Sequence, residues 1–306
     1  MSKVVFLLSP RLHLLDLAGP AQVFSTAADH GYPYTLHYMA EHPDVQTQQG
    51  ATLRADTSRP DLAPGDIVVV PGWRTPRPGR WAQLTRDTLD WLAAHHAAGG
   101  MVASVCSGAQ ALGEAGLLDG RRCTTHHELQ DELAARYPRA TVIRDVVYVV
   151  DGRIATSAGI ASGIDLALHL MAVRHGPAAT ARVARAMVVY ARRNGDEQQA
   201  GAMLRHRWHM SDVTHRAQDH IESRFTDPLP LSDLAAACAV SQRTLTRRFA
   251  EATGMTPLRY QQLLRVERAE HLIGHGETIE AAARAVGFQD ARMLRRLRGG
   301  CGRRPG

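Results

Sequence analysis

Residues 101–112 read MVASVCSGAQAL, an apolar run that stops at Cys106, turns through small residues and resumes in a helix-like pattern of Ala and Leu. This order is typical of a strand-to-helix elbow, which places a nucleophile at the tip of a parallel sheet. The first helical N–H groups would face Cys106 and favour its thiolate form. The stretch therefore predicts an α/β fold built around a cysteine elbow.

The first 175 residues around this elbow alternate strand-like and helix-like patterns. The continuous apolar runs Val4–Leu8 and Ile67–Val70 are typical of strands buried on both faces. Asp151-Gly152 marks the turn of a hairpin, and we expect Ser162 to cap the helix that follows. Alternation of this kind predicts a doubly wound, mainly parallel sheet.

Length and composition limit the class of protein. A chain of 306 residues has room for about two domains. No apolar run reaches the ~20 residues that span a bilayer, so we expect no membrane partner and interpret the apolar N-terminus as a strand. The four cysteines show no C-x-x-C spacing, which argues against a disulfide framework or a metal site and favours a reducing cytoplasm. We predict neither a metal nor a cofactor.

The formal charge of +6 is unevenly distributed. Residues 211–306 hold 15 Lys and Arg against 11 Asp and Glu, whereas residues 1–210 hold 21 against 19. The last third of the chain therefore carries a net charge of +4. This excess is modest, and by itself it is a weak indication of nucleic-acid binding.

This basic part contains only helical patterns, and they repeat. The sequence AAACAVS at 235–241 is echoed by AAARAVG at 281–287, and residues 247–249 are echoed by 295–297 with a turn two residues longer. A long helix over 257–273 connects the copies, with Leu258 among its apolar residues. The repeat predicts two helix-turn-helix units in an all-α domain.

Each copy offers exposed polar side chains on its second helix. In the first copy Ser232 and Ser241 are the expected helix caps, and Leu245 and Phe249, four residues apart, face inward. Outward side chains with the reach and donors for a major groove are expected near the start of each second helix. The predicted DNA-binding residues are Ser241, Gln242, Arg243, Thr246, Arg247, Arg292, Arg295 and Arg296.

Residues 212–297 resemble the AraC/XylS DNA-binding domain. The resemblance is carried by the sequences LSDLA at 231–235, SQRTLTRRF at 241–249, GMTP at 254–257 and VGF at 286–288. The chain departs from the family after Leu297, where RGGCGRRPG replaces an aromatic residue and a closing helix. We expect this segment not to form a helix and the second unit to bind more weakly.

The N-terminal domain resembles the DJ/PfpI branch of the class I glutamine amidotransferase-like fold. The matching stretches are LDLAGP at 15–20, VPG at 70–72, the elbow, GLLDGRR at 116–122, TTH at 124–126 and SAG at 157–159. The resemblance implies an acidic residue beside the elbow thiol, a place that Asp16 occupies, as in isocyanide hydratases. It also implies a ligand site that comprises Asp16, Gly72, Cys106, Ser107 and His126, the histidine being the nearest candidate for a third catalytic residue.

Three functions remain open from the sequence. The leading hypothesis is a transcription regulator, more often an activator in such families, with a sensor domain at 1–190, a linker at 191–211 and a DNA-binding domain at 212–306. Its expected partners are duplex DNA, a small-molecule effector, a second copy in a homodimer and RNA polymerase. The alternatives are an isocyanide-hydratase-like enzyme that uses Cys106 and Asp16, and a redox sensor in which Cys106 oxidises.

Overall fold

The chain folds into two compact units, residues 1–199 and 200–306, in a computed structural model. The structure describes residues 2–74, 84–189, 195, 206, 207, 209–274 and 276–301. Most of the predicted linker 191–211 lies outside the described residues, so the boundaries 190 and 212 stay a prediction. No described helix is both long and apolar enough to cross a membrane.

A six-stranded sheet with the order β2-β1-β5-β6-β10-β9 forms the centre of the first unit. Neighbouring strands are parallel except for the β9–β10 hairpin. Two small sheets, β3-β4 and β7-β8, lie outside it. The strands are β1 Ser2–Leu8, β2 Tyr34–Ala40, β3 Asp44–Gln46, β4 Thr52–Arg54, β5 Ile67–Val70, β6 Met101–Val105, β7 Arg122–Cys123, β8 Thr141–Val142, β9 Tyr148–Asp151 and β10 Ile154–Ser157. The predicted doubly wound, mainly parallel sheet is confirmed.

Helices cover both faces of this sheet, which explains its continuous apolar strands. Val4 and Phe6 of β1 belong to one buried cluster, and Val5 and Leu7 belong to the other. Successive side chains of a strand point to opposite faces, so both sets must be apolar. The helices are α1 Leu14–Asp29, α2 Arg86–Ala97, α3 Ala109–Glu114, α4 Gln130–Arg136, α5 Ser162–His175 and α6 Pro177–Ala186.

The cap predicted for α5 is wrong. Ala161 occupies the N-cap position, and Ser162 is already the first helical residue. The Ser162 hydroxyl instead accepts a hydrogen bond from the Gly159 N–H (2.6 Å) and donates to the Gly159 carbonyl (2.9 Å). Ser162 therefore closes the turn before the helix and does not bond to the first helical N–H groups.

The second unit is helical and has two cores. Its helices are α7 Asp212–Ser223, α8 Leu231–Ala237, α9 Gln242–Thr253, α10 Pro257–Gly274, α11 Ile279–Ala285 and α12 Ala291–Cys301. Tyr260 and Leu264 of α10 belong to the first core, whereas Val266 and Ala269 belong to the second. The connecting helix therefore contributes to both helix-turn-helix units, as the repeat predicts.

Three expectations for this unit need correction. Ser232 does not cap α8, because that helix begins one residue earlier, with Pro230 at the N-cap position. Leu258 is 62% exposed, because α10 presents different faces to its two cores and does not bury a single stripe. The last helix continues to Cys301, since Gly299 and Gly300 each cost about 1 kcal/mol of helix propensity without breaking the backbone hydrogen bonds. Residues 302–306 lie outside the described part.

Candidate functional site

Cys106 lies at a strained elbow between β6 and a short 3-10 turn, Cys106–Gly108, that leads into α3. Its backbone φ is +55°, a conformation that residues with a side chain rarely adopt. A Cβ at Gly159 would lie 2.5 Å from Cys106 Cβ and 2.8 Å from its Sγ, and one at Gly108 would overlap the carbonyl oxygen of Val70. The small residues around the cysteine are therefore needed for the elbow to close.

Asp16 comes from the first turn of α1 and is fully buried beside this elbow. The Ile160 N–H donates to Asp16 Oδ1 at 2.7 Å. A Cβ added to Gly72 would lie 2.5 Å from Asp16 Oδ2 and 2.7 Å from Cys106 Cβ, so only glycine fits between the two side chains. The structure thus brings Asp16, Gly72 and Cys106 together, as the resemblance implies.

The two titratable side chains of this cluster change each other's acidity. Burial raises the pKa of Asp16 to about 6, although the hydrogen bond from the Ile160 N–H and the nearby Gly72 N–H and Cys106 thiol oppose the rise. Burial also raises the pKa of the Cys106 thiol, and the Asp16 carboxylate raises it further. The Ser107 N–H lowers the pKa of the thiol, but it does not outweigh these two effects.

The surroundings of Cys106 therefore do not favour the expected thiolate. The thiol lies in a dry site beside a carboxylate, and both conditions disfavour a second negative charge. Burial and the Asp16 carboxylate thus both favour the protonated form of the thiol. Burial also limits the access of an oxidant to the sulfur, which argues against the redox-sensor hypothesis.

Ser107 has a structural role in the elbow. Its hydroxyl accepts a hydrogen bond from the Trp73 N–H (2.7 Å) and donates to the Trp73 carbonyl (2.8 Å). This pair of bonds ties the loop after β5 to the elbow and so places Gly72. The Ser107 side chain is already satisfied, and its backbone N–H is the part that acts on the thiol.

His126 belongs to a loop that is anchored to the Cys106 elbow. Thr125 donates its hydroxyl hydrogen to the Cys106 carbonyl at 2.8 Å, which anchors this loop to the elbow. The His126 ring is 4.2 Å from the His127 ring, and its Nδ1 is 3.8 Å from Glu128 Oε2. Burial lowers the pKa of His126. No hydrogen bond between described residues joins it to Cys106, and its role as a ligand-binding residue stays a prediction.

Ile160, the residue whose N–H holds Asp16, is a site residue that no sequence pattern indicated. It has a φ of +51°, unusual for a β-branched residue, and its side chain is 40% exposed. The contact joins residues 144 positions apart. Only the fold brings the loop after β10 to the start of α1.

The first reading helix, α9, presents the expected polar surface. Ser241 caps it by accepting the Thr244 N–H at 3.2 Å. Gln242, Arg243 and Arg247 are exposed, whereas Leu245 and Phe249 are fully buried. The remaining predicted residue, Thr246, is half-buried, and its hydroxyl donates to the Gln242 carbonyl at 2.9 Å.

The second reading helix, α12, repeats this plan with one inserted residue. Val240 and Phe288 occupy equivalent positions in the two turns, because the N–H of each residue donates to the carbonyl five residues earlier. Ser241 and Asp290 then cap their helices, with Asp290 Oδ1 accepting the Arg292 N–H at 2.6 Å. The turn is therefore one residue longer than in the first copy, and the predicted difference of two is wrong because it followed the alanine run rather than the turn.

This register places the second set of arginines where the first set lies. Buried Leu294 corresponds to Leu245, so Arg292, Arg295 and Arg296 correspond to Arg243, Thr246 and Arg247. Two of the three form ion pairs within the unit. Arg295 Nη2 is 2.5 Å from Glu280 Oε1, and Arg292 Nε is 3.8 Å from Asp290 Oδ2.

Comparisons with known proteins agree with both halves of this description. Residues 2–173 match the model of the DJ-1/PfpI family, and residues 234–298 match the model of a helix-turn-helix domain. The first match covers more than half of the chain. The chain therefore belongs to the DJ-1/PfpI family, and it carries an AraC-type helix-turn-helix domain at its C-terminal end.

Individual relatives resemble different portions of the chain. The HTH-type transcriptional regulator CdhR of Pseudomonas aeruginosa is 28% identical over 292 residues, which cover 93% of this chain and 84% of that protein. The isonitrile hydratase of Pseudomonas putida is 34% identical over 172 residues, 55% of this chain and 70% of that enzyme. A ThiJ/PfpI family protein of Pseudomonas syringae has the same fold, with a TM-score of 0.55 at 22% identity over 78% of this chain and 90% of its own.

Proposed function

We propose that this protein is a DNA-binding transcription regulator whose N-terminal unit binds a small-molecule effector. The similarity to the regulator CdhR carries the proposal, because it spans 93% of the chain and so includes both units. The two exposed reading helices support it independently. In this proposal the protein acts as a homodimer that binds duplex DNA in the cytoplasm. As an activator of transcription it would also contact RNA polymerase.

The second unit supplies what a duplex reader needs. Gln242, Arg243 and Arg247 lie on one exposed surface at the start of α9, where a helix meets base edges and phosphates in a major groove. On α12 the counterparts of Arg243 and Arg247 are Arg292 and Arg296. Arginine side chains can donate two parallel hydrogen bonds to guanine or neutralise phosphates.

The first unit supplies a closed site suited to a sensor. Asp16 and Cys106 lie beside the loop after β5, where open α/β sheets bind their ligands. A sensor needs only different affinities for its effector in two states, and a coupling of about 1–3 kcal/mol is enough to regulate. A catalyst needs in addition a base at reactive geometry. Among the described residues, no histidine is hydrogen-bonded to Cys106.

Selection of DNA by the purified full-length protein tests this function. We expect an enriched sequence whose affinity falls steeply with salt, because bound phosphates release counterions. Arg243→Ala or Arg247→Ala should cost about 1–3 kcal/mol at that sequence if the residue contacts a base. A folded protein that binds selected and random DNA equally would contradict the proposal.

The second candidate function is an enzyme that adds water to an isocyanide. The isonitrile hydratase match favours it, and so does the placement of Asp16 and Cys106 on either side of Gly72. Here Asp16 would take the thiol proton as sulfur attacks the isocyanide carbon and would return it to that carbon, which gives a thioimidate. Water would then add to the same carbon and displace the sulfur, which leaves the N-formyl product and the free thiol. Turnover of isocyanides above about one per second that is lost in Cys106→Ala would establish this function. Absence of turnover, together with a ligand that shifts DNA affinity, would leave the regulator alone.

A further inference from the structure

Arg265, on the connecting helix α10, ties together backbone segments of both helix-turn-helix units. Its Nε donates to the Phe225 carbonyl at 2.6 Å, and its Nη2 donates to the carbonyls of Thr226 (3.1 Å) and Asp227 (2.9 Å). Its Nη1 donates to the Gly287 carbonyl at 2.9 Å. Residues 225–227 follow α7, which packs in the first core, whereas Gly287 forms the turn of the second helix-turn-helix unit.

The two segments held by Arg265 are also in direct contact. A Cβ at Gly287 would overlap the carbonyl oxygen of Thr226, and the φ of Gly287 is +83°. Phe225 packs against both cores. The junction between the helix-turn-helix units is therefore close-packed backbone, with one guanidinium as its principal hydrogen-bond donor.

We propose that Arg265 fixes the orientation of the two reading helices relative to each other, and thereby the spacing of the two DNA segments that one chain reads. The inference rests on the proposed function, since the spacing matters only to a DNA reader. The residue itself contacts backbone carbonyls rather than DNA, so it is a positioning residue.

The chemistry of this junction requires arginine. Four hydrogen bonds run from three nitrogens in one plane to four carbonyls, and lysine has a single nitrogen from which to reach them. The guanidinium carbon also lies 5.6 Å from the centre of the Phe288 ring, at the end of the second turn. Gln261, one turn earlier, supports the same loop by donating to the carbonyls of Phe225 (3.0 Å) and Asp227 (2.8 Å).

The test uses the full-length protein and a DNA sequence selected by it. Within the half-site that one chain covers, the two protected segments are mapped, and 1, 2 or 3 base pairs are inserted between them. An insertion of 2 base pairs rotates one segment by about 70° relative to the other. We expect the wild type to lose about tenfold or more in affinity, because its reading helices cannot follow this rotation.

Arg265→Gln should bind the original spacing more weakly and should distinguish the spacings by less than about threefold, because the helix-turn-helix units can then reorient. Arg265→Lys should fall between the two proteins. The control is Arg268→Gln on the same helix, whose arginine donates no hydrogen bond to another described residue; it should keep the wild-type preference. An Arg265→Gln protein that loses the same factor at every spacing, or none at any, would overturn the inference.

A measurement without DNA separates this inference from the proposed function. Nitroxide labels at Ala250→Cys on α9 and Arg284→Cys on α11, both exposed positions, report the distance between the helix-turn-helix units once Cys301 is replaced by Ser. We expect one narrow distance with Arg265 in place and a broad distribution in Arg265→Gln. Gly287→Ala, which forces the same backbone apart, should also broaden the distribution.

The two outcomes of this measurement have different consequences. Broadening in Arg265→Gln without selective DNA binding by the wild type would keep the role of Arg265 at the junction and refute the regulator. An unchanged distribution would refute the role of Arg265, whatever the DNA experiments show.

Discussion

Asp16 and Cys106 set the chemistry of the first unit as single residues. The buried carboxyl group of Asp16 and the buried thiol of Cys106 lie on either side of Gly72, where a residue with a side chain would overlap both. Each negative charge there raises the cost of the other. Both groups therefore have raised pKa values, and that of Asp16 is raised to about 6.

Replacing the carboxylate should make the thiol more acidic. In Asp16→Asn we expect the pKa of Cys106 to fall, because the neighbouring negative charge that raises it is gone. Alkylation of Cys106 at pH 8, followed by mass spectrometry, should then be faster than in the wild type. Buried Cys123 in the same protein is the internal control, and its rate should not change. An unchanged or slower rate at Cys106 would show that Asp16 does not control the thiol.

Asp16 should also make stability depend on pH. Its folded pKa of about 6 lies above the ordinary 3.8, so the folded state holds this proton more tightly than the unfolded state does. The ionised group therefore destabilises the fold by on the order of 3 kcal/mol above pH 6, and the penalty fades as the pH falls towards 4. Asp16→Asn should raise the free energy of unfolding at pH 7.5 and change it much less at pH 4. Denaturant titrations at both pH values measure this, and an equal effect at both would contradict it.

At the scale of elements, the two reading helices share one plan but are held differently. Phe249 closes the first core from the third turn of α9, where it is fully buried against the Tyr260 ring at 5.7 Å. The corresponding position on α12 is Arg298, which is exposed and lies 3.3 Å from Glu270. The second helix therefore lacks one of the two buried side chains that fix the first.

Alanine substitutions at these matched positions should differ strongly. Phe249→Ala should destabilise the helical unit by about 3–5 kcal/mol, because it removes a large buried ring and leaves a cavity. Arg298→Ala removes only an exposed ion pair and should cost less than about 1 kcal/mol. Denaturant unfolding followed by circular dichroism compares the two variants. Similar losses would mean that Arg298 contributes to packing as Phe249 does.

At the scale of the whole molecule, the two units differ in net charge. Residues 211–306 carry +4 of the total +6, so long-range attraction to a polyanion acts mainly on the helical unit. Part of this charge is already paired, since Glu280 binds Arg295 on the second reading helix. DNA must compete with that carboxylate for the arginine.

Removing the competing carboxylate should strengthen DNA binding. Glu280→Gln should raise the affinity for DNA of any sequence and steepen its dependence on salt, because Arg295 becomes available to a phosphate. Glu277→Gln is the matched control, since it makes the same change in net charge at another exposed glutamate, one that pairs with no arginine in the described part of the chain. The DNA affinities of both variants are measured at salt concentrations from about 50 to about 200 mM. Equal gains in DNA affinity for Glu280→Gln and Glu277→Gln would show that the effect comes from the change in net charge alone.

The sequence was sufficient for features that depend on local pattern. Continuous apolar runs such as Ile67–Val70 predict strands buried on both faces, and small residues around Cys106 predict the elbow, because period and turn chemistry are local properties. The repeat predicts the paired helix-turn-helix units, and the spacing of Leu245 and Phe249 predicts which face of α9 is buried. The structure bears out each of these.

Contacts between distant segments required the fold. The Ile160 N–H that holds Asp16, the burial that raises the pKa of Cys106 and the four carbonyls that surround Arg265 come from segments far apart in the chain. No local pattern encodes such contacts. A pKa depends on desolvation and on neighbouring charges, and both are fixed only when the chain has closed around the group.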